Sequence, residues 1–226
     1  MTAIRRSTIV IASVVSSTAM LLGTVAPAQA DVPTTLQKVS TTSFADKSCM
    51  KEVKRAYEKV GQEVSTGDLE ICKGNVTVEE APTETVDVGE AKALAATQDM
   101  SKQETAQVVQ AAKAGKIKSK KWKHAYWGGS NYEKHAGRTY WNGSKAWVKK
   151  YKGKTGYHTC HSEGSWQVGW SVKPTRCTKP KAGTYADSYY RFDASLFVKG
   201  SPITLGVGLH YRTSKSGAVK TWQVGG

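Results

Sequence analysis

The chain has 226 residues, a formal net charge of +15, seven tryptophans and four cysteines. That length permits one or two domains with a real hydrophobic core. The sequence holds no Walker-type or dinucleotide glycine motif and no Gly-x-Ser-x-Gly elbow, so nothing in it points to nucleotide-dependent or serine-hydrolase chemistry.

Residues 1–30 read as a secretory signal peptide. Arg5 and Arg6 form the positive n-region, residues 8–25 are apolar, and Ala28-Gln29-Ala30 is a small-x-small cleavage site. The expected product is secreted and extracellular, with no stable membrane insertion after cleavage. Its charge is uneven. Residues 31–100 carry 8 Lys+Arg against 13 Asp+Glu, whereas residues 101–226 carry 23 against 5. Such asymmetry suggests an anionic partner, or two regions that attract each other.

The four cysteines, Cys49, Cys72, Cys160 and Cys177, all follow the signal. They allow three disulfide pairings. The simplest is local, Cys49–Cys72 and Cys160–Cys177, with each closed loop worth roughly 3 kcal/mol. No Cys-x-x-Cys pair is present, so no metal site is expected from the cysteines.

The expected fold class is α+β: a small helical N-terminal region, then an antiparallel β sandwich or small barrel. The boundaries fall at residues 31–115, acidic and helical, and 116–226, basic and β-rich. Residues 31–43, rich in Thr, Ser and Val without a clear period, read as an extended arm. A helix follows over residues 46–60, capped by Asp46 and stopped at Gly61, with Cys49, Val53, Ala56 and Val60 on one face. Leu69-Glu70-Ile71-Cys72 reads as a short strand. Residues 75–88 alternate valines around Ala81-Pro82 and read, from their acid content, as a flexible link. Ser101-Lys102-Gln103-Glu104 is a capping box that opens a helix to about Ala114, stopped at Gly115. Residues 116–121 form a basic connector. A second view of the acidic region is a covering or pro segment lying on the basic one.

In the basic region the period becomes two. Asn142-Gly143 predicts a tight hairpin with positive φ at both central residues. Residues 166–172 and 203–212 alternate most cleanly, and residues 185–192, 196–198 and 219–224 are further strands. No helix is expected after Tyr126. Trp166 and Trp170 are assigned to the core, and Trp127, Trp147 and Tyr151 to the surface. Gly206 and Gly208 are taken to mark a bulge or sharp bend.

Catalytic residues are sparse. His124, His135, His158 and His161 lie within 38 residues of one another. A secreted nuclease would use His158 and His161 as base and acid. A glycosidase needs paired carboxyl groups, and the basic region has few acids to supply them. Lysines interleaved with aromatics favour binding instead, because cations neutralise anions while rings stack on sugars or bases. The candidate binding residues are Trp127, Trp147, Lys149, Lys150 and Tyr151. No cofactor is expected, and the oligomeric state stays open.

The Ala-x-Ala signal end and the stretch from Arg138-Thr139-Tyr140-Trp141-Asn142-Gly143 to Trp147, followed by a cysteine loop, resemble small secreted actinobacterial proteins of unknown activity. Residues 122–135, ending in Asn131-Tyr132-x-x-His135, are locally similar to lactococcin-type secreted bacteriocins, which act on the cell envelope. That likeness implies a bacterial-envelope target. The expectation is therefore a secreted, non-enzymatic binding protein for an anionic extracellular polymer or bacterial envelope, with possible antibacterial action and nucleic acid as a further partner. The alternatives are the histidine nuclease and a secreted enzyme inhibitor built on the Cys160–Cys177 loop.

Overall fold

The computed structural model describes residues 35–98, 100–128, 131–148, 158–163, 170–178 and 180–225, with the side chains of residues 131, 161–163 and 170 outside that description. The elements in order are β1 (Gln37–Ala45), α1 (Lys47–Glu58), a 3₁₀ turn (Gly67–Cys72), β2 (Lys73–Glu80), β3 (Glu84–Thr85), α2 (Val88–Thr97) and α3 (Lys102–Lys113). The strands β4 (Lys118–Gly128), β5 (Asn131–Trp141), β6 (Ala146–Val148), β7 (His158–Glu163), β8 (Trp170–Cys177), β9 (Tyr185–Val198), β10 (Ser201–Ser214) and β11 (Val219–Val224) complete the chain. The class is α+β with mostly antiparallel strands in two sheets. No closed barrel forms among the described residues.

The first sheet runs β1-β2-β4-β5-β6, with β3 on β4 and β7 on β5; the second runs β11-β10-β9-β8. Residues 31–115 and 116–226 therefore share one sheet, through β2 on β4. Their opposite charges meet there. Lys120 pairs with Glu80 at 2.6 Å, Lys123 with Glu79 at 2.7 Å, and Arg138 with Glu84 and Glu90 at 2.7 and 2.5 Å. Mutual attraction of the two regions thus accounts for part of the charge asymmetry.

Local signals explain the helices. The Asp46 side chain accepts from the amides of Ser48 and Cys49, Gly61 takes φ 67°, and α1 buries Cys49, Val53 and Ala56. The Ser101–Glu104 capping box is formed in both directions, and Gly115 takes φ 64°. Helix α2 is an addition, capped by Asp87.

Several expectations are corrected. Residues 37–45 are a strand rather than a loose arm, because β2 supplies the hydrogen-bonding partner. The alternating valines Val76 and Val78 lie in β2, not in a flexible link, and are buried. Leu69 to Cys72 belongs to the 3₁₀ turn, so Cys49–Cys72 clips α1 to that turn. The basic connector is already β4 from Lys118, and Ile117 before it is fully buried. The Asn142-Gly143 turn is a four-residue connection with Trp141 opposite Ala146. Only Gly143 has positive φ, and the Asn142 side chain accepts from the amides of Ser144 and Lys145. The two-residue turn with both φ values positive occurs instead at Lys199-Gly200, between β9 and β10.

Alternation organises the second sheet. Ile203, Leu205, Val207, Leu209 and Tyr211 of β10, with Tyr190, Phe192, Ala194 and Leu196 of β9, are buried. Most of these pack with Val53, Val76 and Tyr126, while Tyr211 joins Val78 and Trp122. On the first sheet's other face, α2 and α3 cover Tyr140 and Trp147. The disulfide Cys160–Cys177 ties β7 of the first sheet to β8 of the second. Among the described residues, no helix is long and apolar enough to cross a membrane.

Candidate anion-binding face

The outward residues of the second sheet form an ordered array. In β10, Thr204, Gly206, Gly208, His210 and Arg212 point away from the buried alternation. Register sets their neighbours: Tyr189 and Trp222 lie directly across from His210 on β9 and β11. The three rings stack in a row, Tyr189 on His210 at 4.1 Å and 22°, and His210 on Trp222 at 4.2 Å and 8°. Arg176 sits over Tyr189 at 5.5 Å. Arg212 lies 4.7 Å from the Trp222 ring and 4.3 Å from that of Tyr185, and Lys220 lies 5.7 Å from Trp222.

The glycines make this packing possible. A Cβ on Gly208 would meet the Tyr189 ring at 2.8 Å, and one on Gly206 would meet the Arg191 guanidinium at 3.3 Å. The register of β10 with β9 is unbroken from Ser201 to Ser214. The expected bulge at these glycines is therefore absent, and their role is room for two neighbouring side chains. The register does shift on β8, between Pro174 and Arg176.

The electrostatics are unusual for a sheet face. Arg176 stands directly opposite Arg191, and Arg212 directly opposite Lys220. Like charges in directly opposed positions destabilise a sheet. Asp187 partly compensates one pair, accepting from Arg212 at 2.8 Å and contacting His210 at 3.1 Å. With Lys173 included, five cations share the face with Asp187 and Asp193.

Of the residues expected to bind, the two that are described, Trp127 and Trp147, lie apart. Trp127 is 49% exposed on the outer face of the first sheet, 4.1 Å from Tyr132, with Lys134 over the Tyr132 ring. Trp147 is 2% exposed beneath α2 and α3, stacked near Tyr140, so its assignment to the surface is corrected. Its strand, β6, is only three residues long and buried throughout, which leaves no outward position. Lys149, Lys150 and Tyr151 lie outside the described residues, as does Trp166. Trp170 begins β8, and its side chain also falls outside the description.

The histidines divide between interior and surface. His124 and His135 touch through ring nitrogens at 3.2 Å, and the His135 and His158 rings are 5.5 Å apart. Burial holds His124 and His158 down at about 4, and holds His135 well below the usual imidazole range. His158 is 6% exposed, with Nε2 3.2 Å from Cys160 Sγ. His158, expected as one member of a nuclease acid–base pair, is thus an interior side chain. His161 holds the strand position opposite Lys134, and its side chain is outside the description. His158, Cys160 and Cys177 bring three ligand-type atoms within 4.8 Å, but both sulfurs are engaged in the disulfide rather than present as thiolates.

Sequence reasoning missed Arg176, Tyr189, His210, Arg212 and Trp222 as a group. The alternation of β10 was a sufficient signal for the outward set, but the stack depends on strand register. Comparisons with protein-family models, curated proteins and solved structures give no match for this chain.

Proposed function

We propose that this protein is a secreted, non-enzymatic binding protein that holds an anionic extracellular polymer on the outer face of its second sheet. We read the two sheets as a sandwich, with the acidic region covering and neutralising the first sheet and the second left cationic. The observation that carries the proposal is the pair of like-charge positions in direct register, Arg176 with Arg191 and Arg212 with Lys220, flanking the Tyr189–His210–Trp222 stack. A bound polyanion relieves both repulsions at once. Edges of the stacked rings offer contact between the two cationic rows. The local likeness to envelope-active bacteriocins makes bacterial envelope the natural source of the polymer.

The test is retention of the full mature chain on a sulfated-polysaccharide resin, on isolated cell walls and on immobilised nucleic acid, eluted with salt. Polyanion binding that releases counterions weakens steeply as salt rises. Arg176→Glu with Lys220→Glu is expected to shift elution to markedly lower salt. Salt-independent retention, or elution unchanged in the double variant, sinks the proposal.

A further inference from the structure

The first sheet is wider than the second. At its β1–β2 margin the inward face meets β11, the edge strand of the second sheet, across a cleft. Ser40, Thr42 and Phe44 share that inward face with Val76 and Val78, as their register shows. The cleft between β1–β2 and β11 holds about 430 Å³, with His124 in its lining and Thr221, Trp222 and Gln223 along the β11 side. That volume lies at the low end of the roughly 300–1,000 Å³ of small-molecule sites.

We propose that this cleft binds a neutral, polyhydroxylated ring, a hexose or N-acetylhexosamine unit, so that the polymer held by the adjoining face is a glycan. The inference rests on the anionic-polymer reading only for the identity of that polymer. The cleft itself stands on its own chemistry. Its one aromatic side chain on the inward face, Phe44, suits the C–H face of a sugar ring. Ser40, Thr42 and Thr221 bring hydroxyls to the lining, and each can both donate and accept. The Gln223 amide nitrogen donates to the Gly225 carbonyl at 2.7 Å, which leaves its own carbonyl oxygen to accept from a ligand hydroxyl.

The lining carries no formal charge at neutral pH. His124 is its one ionisable side chain, and burial keeps that ring neutral. A phosphate or carboxylate inside the cleft would meet no cation, so the charged groups of the polymer belong on the face and a neutral unit belongs in the cleft. Strand β11 joins the two surfaces: the Trp222 ring stacks on His210 on the cationic face, and its neighbours Thr221 and Gln223 line the cleft. A linear glycan with alternating neutral and anionic units has the chemistry to occupy both.

The probes are the neutral trisaccharides of glucose and of N-acetylglucosamine, titrated into the full mature chain and followed by ligand-observed NMR and tryptophan fluorescence. Saturable binding of at least one probe is expected. It is expected to be lost in Thr42→Trp, which fills the cleft from an exposed strand position. It should weaken at least tenfold in Thr221→Val, a near-isosteric change that guards against a misfolded first variant. The double variant Arg176→Glu with Lys220→Glu should keep it while losing retention on anionic resin. If no probe binds while salt-sensitive retention persists, the cleft inference fails and the anionic face stands. Binding unaffected by both cleft variants also overturns it. So does a short oligonucleotide whose binding depends on Thr42 and Thr221, because the occupant is then a base rather than a sugar.

Discussion

Lowering the pH from 7.5 to 4.5 charges histidines that the fold keeps neutral. His124 and His158 titrate near 6.5 in the unfolded chain and at about 4 when buried between the sheets. Their folded-state values are depressed, so between those limits the unfolded chain binds more protons and stability rises with pH. The contribution is complete above pH 6.5 and disappears as pH falls toward 4. Integrating each titration to pH 4.5, at about 1.4 kcal/mol per pH unit, gives a loss between 2 and 3 kcal/mol per histidine. Two such losses make about 5 kcal/mol, comparable with the lower end of the roughly 5–15 kcal/mol that holds a domain folded. His135 adds in the same direction. Ordinary carboxylates titrate near pH 4, so the window from 6.5 to 4.5 is dominated by the imidazoles. Urea unfolding followed by tryptophan fluorescence at pH 7.5, 6.5, 5.5 and 4.5 measures the effect. The midpoint is expected to fall steadily below pH 6.5, and His158→Gln should flatten that slope by roughly a third to a half whatever its starting stability. A midpoint constant between pH 7.5 and 4.5, or an unchanged slope in His158→Gln, refutes the reasoning.

Other perturbations separate packing from binding. Trp147→Ala should cost about 3–5 kcal/mol, because it empties a core site beneath α2 and α3; a differential scanning calorimetry shift of less than about 2 °C would contradict its burial. Gly208→Ala places a methyl 2.8 Å from the Tyr189 ring. It should therefore lower the salt needed to elute the protein from anionic resin, while Gly206→Ala, facing the movable Arg191 side chain, should have little effect. Replacing both Cys160 and Cys177 by Ser should lower stability by about 3 kcal/mol in urea, and hydrogen exchange should show β7 and β8 loosening before the centre of β9 and β10.

The helices were legible because their signals are local. Asp46 and Gly61 delimit α1, and Ser101, Glu104 and Gly115 delimit α3, each within a few residues of the chain. Helix α2 carried the same kind of mark, Asp87 three residues before Glu90, but its alanine-rich sequence offers little amphipathic contrast. The strands divide by burial. β9 and β10 are buried on one face and show a period of two. β1 is exposed along almost its whole length, so no alternation was selected there and its pairing with β2 is what makes it a strand. The disulfides followed from proximity in sequence, although the consequence of the second pair, joining one sheet to the other, did not.

The candidate face was legible only in half. Alternation assigns His210 and Arg212 to the outside of β10 and Trp222 and Lys220 to one face of β11, yet which residues meet depends on register. A shift of one residue would place Thr221 opposite His210 and turn Trp222 inward. Then neither the ring stack nor the Arg212–Lys220 contact would exist. Aromatic residues among lysines divide in burial: Trp147 and Trp122 are core, whereas Trp127 is exposed on the first sheet. The better physical marker is an excess of like charge that the fold compensates only in part. Glu79, Glu80, Glu84 and Glu90 pair with Lys123, Lys120 and Arg138 on the first sheet, so a general excess of lysine is not itself a site. Arg176 against Arg191, and Arg212 against Lys220, persist on the second sheet, where Asp187 accepts from Arg212. On the proposed reading a bound polyanion offsets that excess charge, which is the reason for assigning the interface to the second sheet.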